Sequence, residues 1–111
     1  MPNNLLIQIV AAESTPEKDA IFDKWYTEEH VPMLFEFPGV KQASRYRLKG
    51  EGAQCAKYLA IYEFESEAAL EAFPKSHAFA NAIKDFEDKK EATGFTMKWA
   101  GVYERIQSWE R

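Results

Sequence analysis

A segment near the start of the chain, Leu5 to Ala12, is apolar in both parities: Leu5, Ile7 and Ile9 fall on one side of an extended strand, Leu6 and Val10 on the other. Such a strand must be covered on both faces. In a chain of 111 residues, which is one domain's worth, the covering material is limited. Two helices cover one face of a small sheet. A bare second face would be a large exposed apolar patch. The strand therefore calls for helices on one side and a second copy of the sheet on the other, a symmetric homodimer through the sheet face.

The rest of the chain supplies matching elements. Ser14 or Thr15 can cap a helix opened by Pro16, with Glu17 and Asp19 suited to its positive end. Phe22, Trp25, Tyr26, Glu29, His30 and Met33 recur at helical spacing. Pro32 disfavours helical backbone at Val31, so a kink or restart is expected there. A second short turn, MLFEF, should end at Pro38-Gly39. Val40–Lys49 alternates as a strand, with Val40, Gln42, Ser44, Tyr46 and Leu48 on one face. Arg45 and Arg47 share the other face, where a surface or dimer-face ion pair with Glu63 is expected. A turn at 50–54 leads to a strand at Ala56–Phe64, with Tyr58, Ala60, Tyr62 and Phe64 on one side. Ser66 caps a second helix that breaks at Pro74 and resumes from about Lys75 to Lys90, with Phe79, Ile83 and Phe86 as its stripe. Gly94 ends it, and Phe95–Ile106 is the last strand, its Trp99 read as core. The order is β-α-β-β-α-β: an α+β, ferredoxin-like four-stranded antiparallel sheet with two helices on one face.

Composition narrows the function classes. The net charge is −4 with lysine and arginine scattered, which provides no basic footprint for nucleic acid. The lone Cys55 allows no intrachain disulfide and no thiolate metal site. His30 and His77 have no paired ligand motif, so no metal is expected. The first apolar run is too short for a membrane span, and a cytoplasmic protein without cofactor is the expectation. No glycine-rich phosphate loop or nucleophile elbow is present.

The residues that can carry chemistry cluster in WYTEEHVP, Trp25 to Pro32. His30 follows Tyr26 by four residues and Phe22 by eight, so it belongs to the buried stripe. At a helix C-terminus the dipole would favour its protonated form. Alternation places Ser44, Tyr46, Tyr58 and Tyr62 in one register on two paired strands, where their hydroxyls would converge under the first helix. An apolar pocket with a few convergent polar groups suits a small ligand. Taken one at a time, these residues are better accounted for by packing: a histidine bonded to a carbonyl, tyrosines that favour strands, and a Trp25 that anchors its helix.

WYTEEHVP, then FPGVKQASRYRL, then YLAIYEFES resembles the EthD-like branch of the dimeric α/β-barrel superfamily. The family pattern W-Y-x-x-x-H-[LVI]-P, a later P-G and a strand ending in Arg-[LF] fall on Trp25, Tyr26, His30, Val31, Pro32, Pro38, Gly39, Arg47 and Leu48. The resemblance spans about residues 4 to 104. It implies a single dimeric α/β-barrel domain over 1–111, sheets facing each other, and a pocket between helices and sheet near His30. Such proteins take part in ether degradation, lactone isomerisation, polyketide tailoring and decarboxylation. Where some isomerase-like relatives carry a reactive cysteine on the third strand, this chain has Tyr62, with Cys55 in the preceding turn.

The expectation is a cofactor-independent enzyme for a small, largely apolar or aromatic substrate with a carbonyl or phenol. His30 would be the general acid or base and Tyr62 its catalytic partner. Tyr26, Ser44 and Tyr46 would bind substrate, and Trp25 and Phe35 would form walls. Two rivals remain: a binding or accessory homodimer without turnover, and a haem or redox partner.

Overall fold

The computed structural model describes residues 5–52 and 54–111. The elements are strand β1 (Leu6–Glu13), helix α1 (Asp19–Trp25), a π-helical turn (Tyr26–His30), helix α2 (Val31–Phe35), strands β2 (Val40–Arg47) and β3 (Tyr58–Phe64), helix α3 (Glu67–Ala72), a 3-10 turn (Phe73–Lys75), helix α4 (His77–Thr93) and strand β4 (Thr96–Glu104). The four strands form one antiparallel sheet in the order β2-β3-β1-β4. This is the expected β-α-β-β-α-β fold, with β1 central and the helices on one face. The expected turn at 50–54 includes residue 53, which lies outside the described residues.

Register sorts the side chains. Leu6, Gln8, Val10 and Ala12 of β1 stand opposite Phe64, Tyr62, Ala60 and Tyr58 of β3 on the helix-covered face. Ile7, Ile9 and Ala11 share the open face with Ile61 and Leu59. The buried alternation of β3 follows: Tyr58, Ala60, Tyr62 and Phe64 are all buried and belong to the core with Phe22, Trp25, Tyr26 and Phe73. Each such ring contributes about 1.5–3 kcal/mol by leaving water.

Two bulges overturn the expected alternation on the edge strands. Val40 pairs with Phe64 but Gln42 pairs with Glu63, so Lys41 is an extra residue. Beyond it Ala43, Arg45 and Arg47 stand opposite Tyr62, Ala60 and Tyr58, on the helix side, while Ser44 and Tyr46 stand opposite Ile61 and Leu59 on the open side. Ser44 and Tyr46 therefore do not share a face with Tyr62, contrary to expectation. The second bulge lies in β4, where Lys98 is extra between Met97 opposite Ala12 and Trp99 opposite Ala11. Trp99 consequently turns to the open face with Tyr103 and is 44% exposed rather than core. One extra residue exchanges the two faces of everything beyond it. Both extra residues are exposed lysines on edge strands, where such devices discourage further strand pairing.

The first helical layer also departs from expectation. Backbone stays right-handed helical through Trp25, Tyr26, His30 and Val31, so Pro32 does not break the helix. The irregularity lies upstream: the Val31 N–H donates to the Tyr26 carbonyl, five residues back. Pro32 has no N–H and its ring crowds the carbonyl four residues earlier. A wider turn before it relieves that crowding and keeps Val31 helical. Thr15 holds the entry turn, its Oγ1 accepting from the Lys18 N–H at 3.2 Å. Downstream, Ser66 caps α3 and Ser76 caps α4, accepting from the N–H groups of Ala69 and Phe79 at 3.0 and 3.1 Å. Gly94 closes α4 with φ +65°, as expected. The inner face of α4 is Ala78, Phe79, Ala82 and Phe86, and Ile83 points outward.

Candidate functional site

The π turn sets the geometry of the helix's inner face. In a regular α-helix residues five apart point about 140° away from each other. Winding wider by one residue per turn brings them together. Trp25 and His30 accordingly stack, ring centroids 4.7 Å apart and planes 29° apart. Tyr26 meets His30 edge-on at 4.9 Å and stacks on Phe95 at 5.8 Å. Trp25 is held in turn by α4: its Nε1–H donates to Asp85 Oδ2 at 2.7 Å, and Lys89 bridges Asp85 and Glu29.

His30 is thus a buried side chain inside a helix, not a ring at a helix end. Burial drives its pKa down to about 4, with the Asp85 carboxylate opposing only in part. The expected dipole effect is overturned because α2 continues the helix past it. At neutral pH the imidazole is uncharged and can accept a proton. Its Nδ1 is buried and has no partner among the described residues.

Tyr62 approaches Tyr26 from β3. Burial pushes the Tyr62 phenol well above its ordinary value, and the Tyr26 phenol adds to that; burial raises Tyr26 as well. The two phenols are close enough to perturb each other, yet the geometry stops short of completing a bond at Tyr62 Oη, which is buried without a partner.

Arg45, which sequence reasoning assigned to a surface or dimer-face pair with Glu63, completes the cluster. The Lys41 bulge turns it under the helix. Its Nη1 donates to Asp23 Oδ1 at 2.7 Å, to the Asp23 carbonyl at 3.0 Å and to Thr27 Oγ1 at 2.7 Å. Its guanidinium lies 4.7 Å over the Tyr26 ring and 5.0 Å over that of Tyr58. Its Nε and Nη2 are buried and unpartnered. The signal that would have found it is the bulge, which no residue pattern around Lys41 announces.

Among the described residues, four buried side-chain polar atoms lack a partner, and all belong to His30, Arg45 and Tyr62 around Tyr26. Buried polar atoms are ordinarily paired, so such a concentration marks a place built to meet something else. Two clefts border it. One, of about 250 Å³, is lined by Asp23, Thr27, Arg45, Tyr46, Arg47 and Tyr58. The other, of about 220 Å³, is lined by Thr27, Val31, Ala43, Ser44 and Arg45. His30 lies behind their walls rather than on them. Of the expected binding residues, Tyr26 and Trp25 are in the cluster. Ser44 and Tyr46 reach only its outer rim, from the open face, and Phe35 is exposed at the end of α2.

Solved structures share this architecture. A hydroxynitrile lyase from Passiflora edulis is similar with a TM-score of 0.75 at 13% identity, over 98% of this chain and 100% of that one. An EthD-like protein from Ralstonia eutropha is similar at 0.68 and 14% identity, over 97% of each chain. A dimeric ferredoxin-like protein of unknown function from Thermobifida fusca is similar at 0.59 and 10%, over 95% and 92%. The expected likeness to EthD-like proteins holds for the fold. No curated protein matches the sequence. Among the described residues no helix is long and apolar enough to cross a membrane. A family model does match, over residues 6–98, and the chain belongs to that family, DUF4286, a domain of unknown function.

Proposed function

We propose that this protein is a cofactor-independent enzyme that moves a proton on a small, largely apolar substrate bearing a carbonyl or phenol. The observation that carries this reading is that the unpartnered Nδ1 of a buried, neutral His30 and the unpartnered Oη of Tyr62 lie against the same side chain, Tyr26, among the described residues. A neutral imidazole accepts a proton from a carbon beside a carbonyl, or from a hydroxyl. A phenol whose pKa is held high stays protonated and donates to the oxygen on which negative charge develops. Tyr26 would position both groups, and Trp25 would form the wall behind the imidazole. Another protein of this fold is named as a hydroxynitrile lyase, which fits an enzyme here.

The test uses phenylacetone in D2O. Wild-type protein should speed deuterium uptake beside the carbonyl, and His30→Gln should abolish that acceleration while the protein stays folded. Uptake unchanged in His30→Gln removes the catalytic role. Phenylacetone binding without any accelerated uptake leaves the rival reading, a binding homodimer.

The homodimer belongs to this proposal. The open face carries Ile7, Ile9, Leu59 and Ile61 with the exposed rings of Tyr46, Trp99 and Tyr103. A second copy packed sheet to sheet would remove them from water. Ser44 and Tyr46 would then line the interface side of the sheet. Sedimentation of a non-associating monomer at micromolar concentration would exclude it.

A further inference from the structure

We propose that Arg45 is the anchor for a carboxylate on the ligand, which makes the substrate a small aromatic or apolar carboxylate. The inference rests on the reading that the Tyr26 cluster binds a small molecule. It starts from how the guanidinium is used. One nitrogen, Nη1, faces three acceptors on Asp23 and Thr27. The other two, Nε and Nη2, face none, although both are shut away from solvent.

An arginine retained only to pair with Asp23 would need neither of those donors buried. Leaving charged donors buried and empty is costly. Nε–H and the nearer Nη2–H point the same way along one edge of the guanidinium. That edge is the fork that matches the two oxygens of a carboxylate. The planes of Tyr26 and Tyr58 lie against the guanidinium at 4.7 and 5.0 Å and hold its orientation, so the fork has a fixed aim.

Charge agrees with this assignment. The cleft of about 250 Å³ beside Arg45 is lined by Arg45 and Arg47 but by one carboxylate only, Asp23. Asp23 meets Arg45 at 2.7 Å and Arg47 at 3.8 Å, so it is shared between two cations. One positive charge is left over, and an anionic ligand balances it. The neighbouring cleft adds the apolar side chains of Val31 and Ala43 with the hydroxyls of Thr27 and Ser44. A ring or short alkyl group attached to the carboxylate has an apolar wall there.

The test compares benzoate with benzamide, its uncharged isostere, by calorimetry on the full chain. Benzoate should bind roughly ten- to hundredfold more tightly, the range for hydrogen bonds to a charged group. Arg45→Lys keeps a cation for Asp23 but loses the fork, and should cut that preference about tenfold. Equal affinity for the two probes, or a preference unchanged in Arg45→Lys, overturns the assignment. Inorganic phosphate binding as tightly as benzoate would overturn the carboxylate in favour of a general anion site. If Arg45→Lys does not fold, the arginine Nε–Hε NMR signals of the wild type serve instead: benzoate should move one of them, and signals that all stay fixed overturn the proposal. Phenylacetone carries no carboxylate, so its exchange reads the His30 and Tyr62 pair and not the Arg45 fork. Loss of benzoate preference with His30-dependent exchange intact defeats only this inference. The converse defeats only the catalytic reading.

Discussion

Acid should destabilise this protein through His30, over a window that the structure defines. The imidazole has a pKa of about 4 in the folded state against 6.5 for an ordinary histidine, because burial disfavours the charged ring. Between those values the unfolded chain binds the proton and the folded chain does not. Stability therefore rises with pH across the window. The contribution is complete above about 6.5, falls as pH drops, and is spent once the folded ring itself titrates near 4. Its full size is about 3 kcal/mol, a large part of the 5–15 kcal/mol typical of a domain. The assay is urea unfolding at a series of pH values from 7 to 4, for wild type and for His30→Leu. The two proteins share every carboxylate, so the difference between the two curves isolates the ring. That difference should change by about 3 kcal/mol. Trp25, stacked on the ring at 4.7 Å, provides an optical signal for the same event. An NMR titration placing His30 near 6.5, or parallel stability curves for the two proteins, would refute the reasoning.

Further consequences concern single side chains. Gly39→Ala should cost about 1–3 kcal/mol in urea unfolding, because a Cβ there would lie 2.5 Å from Phe37 Cε2 and 2.7 Å from Ala69 Cβ. Tyr62→Phe should leave thermal stability unchanged or raise it by up to about 1 kcal/mol, since the hydroxyl it removes is buried without a partner, while any phenylacetone exchange falls. Ser66→Ala should cost about 1 kcal/mol in thermal unfolding through loss of the cap on the Ala69 N–H.

Local signals in the sequence were legible wherever a residue's own chemistry decides the outcome. Ser66 caps, Gly94 ends α4 and β1 is apolar on both sides, each as expected. Errors arose where long-range packing decides. Pro38-Gly39 lies two residues before Lys41 and Gly101 three after Lys98, but neither signal tells at which residue a bulge falls. Yet each bulge exchanges the faces of the residues beyond it. Arg45 was therefore assigned to the wrong side, and Ser44, Tyr46 and Trp99 likewise. Pro32 did announce an irregular helix, but the adjustment fell in the preceding turn, where Trp25, Tyr26 and His30 gain stacking contacts. His30 was found by its spacing. Its low pKa was not, because burial depends on Phe95 and α4, far along the chain.

The π turn at Tyr26–His30 is, in structural terms, a single-residue insertion in an otherwise ordinary helix. Deleting one residue there, Glu28 for example, would let the helix wind evenly. Everything after the deletion would keep its phase on the sheet, because the surplus turn absorbs the change. Trp25 and the histidine would then be four residues apart, the spacing at which an ordinary α-helix already sets two side chains side by side on one face. A relative that lacks this residue should therefore fold the same way and keep the two rings together. The wide turn is the device that lets this helix carry one residue more without separating them.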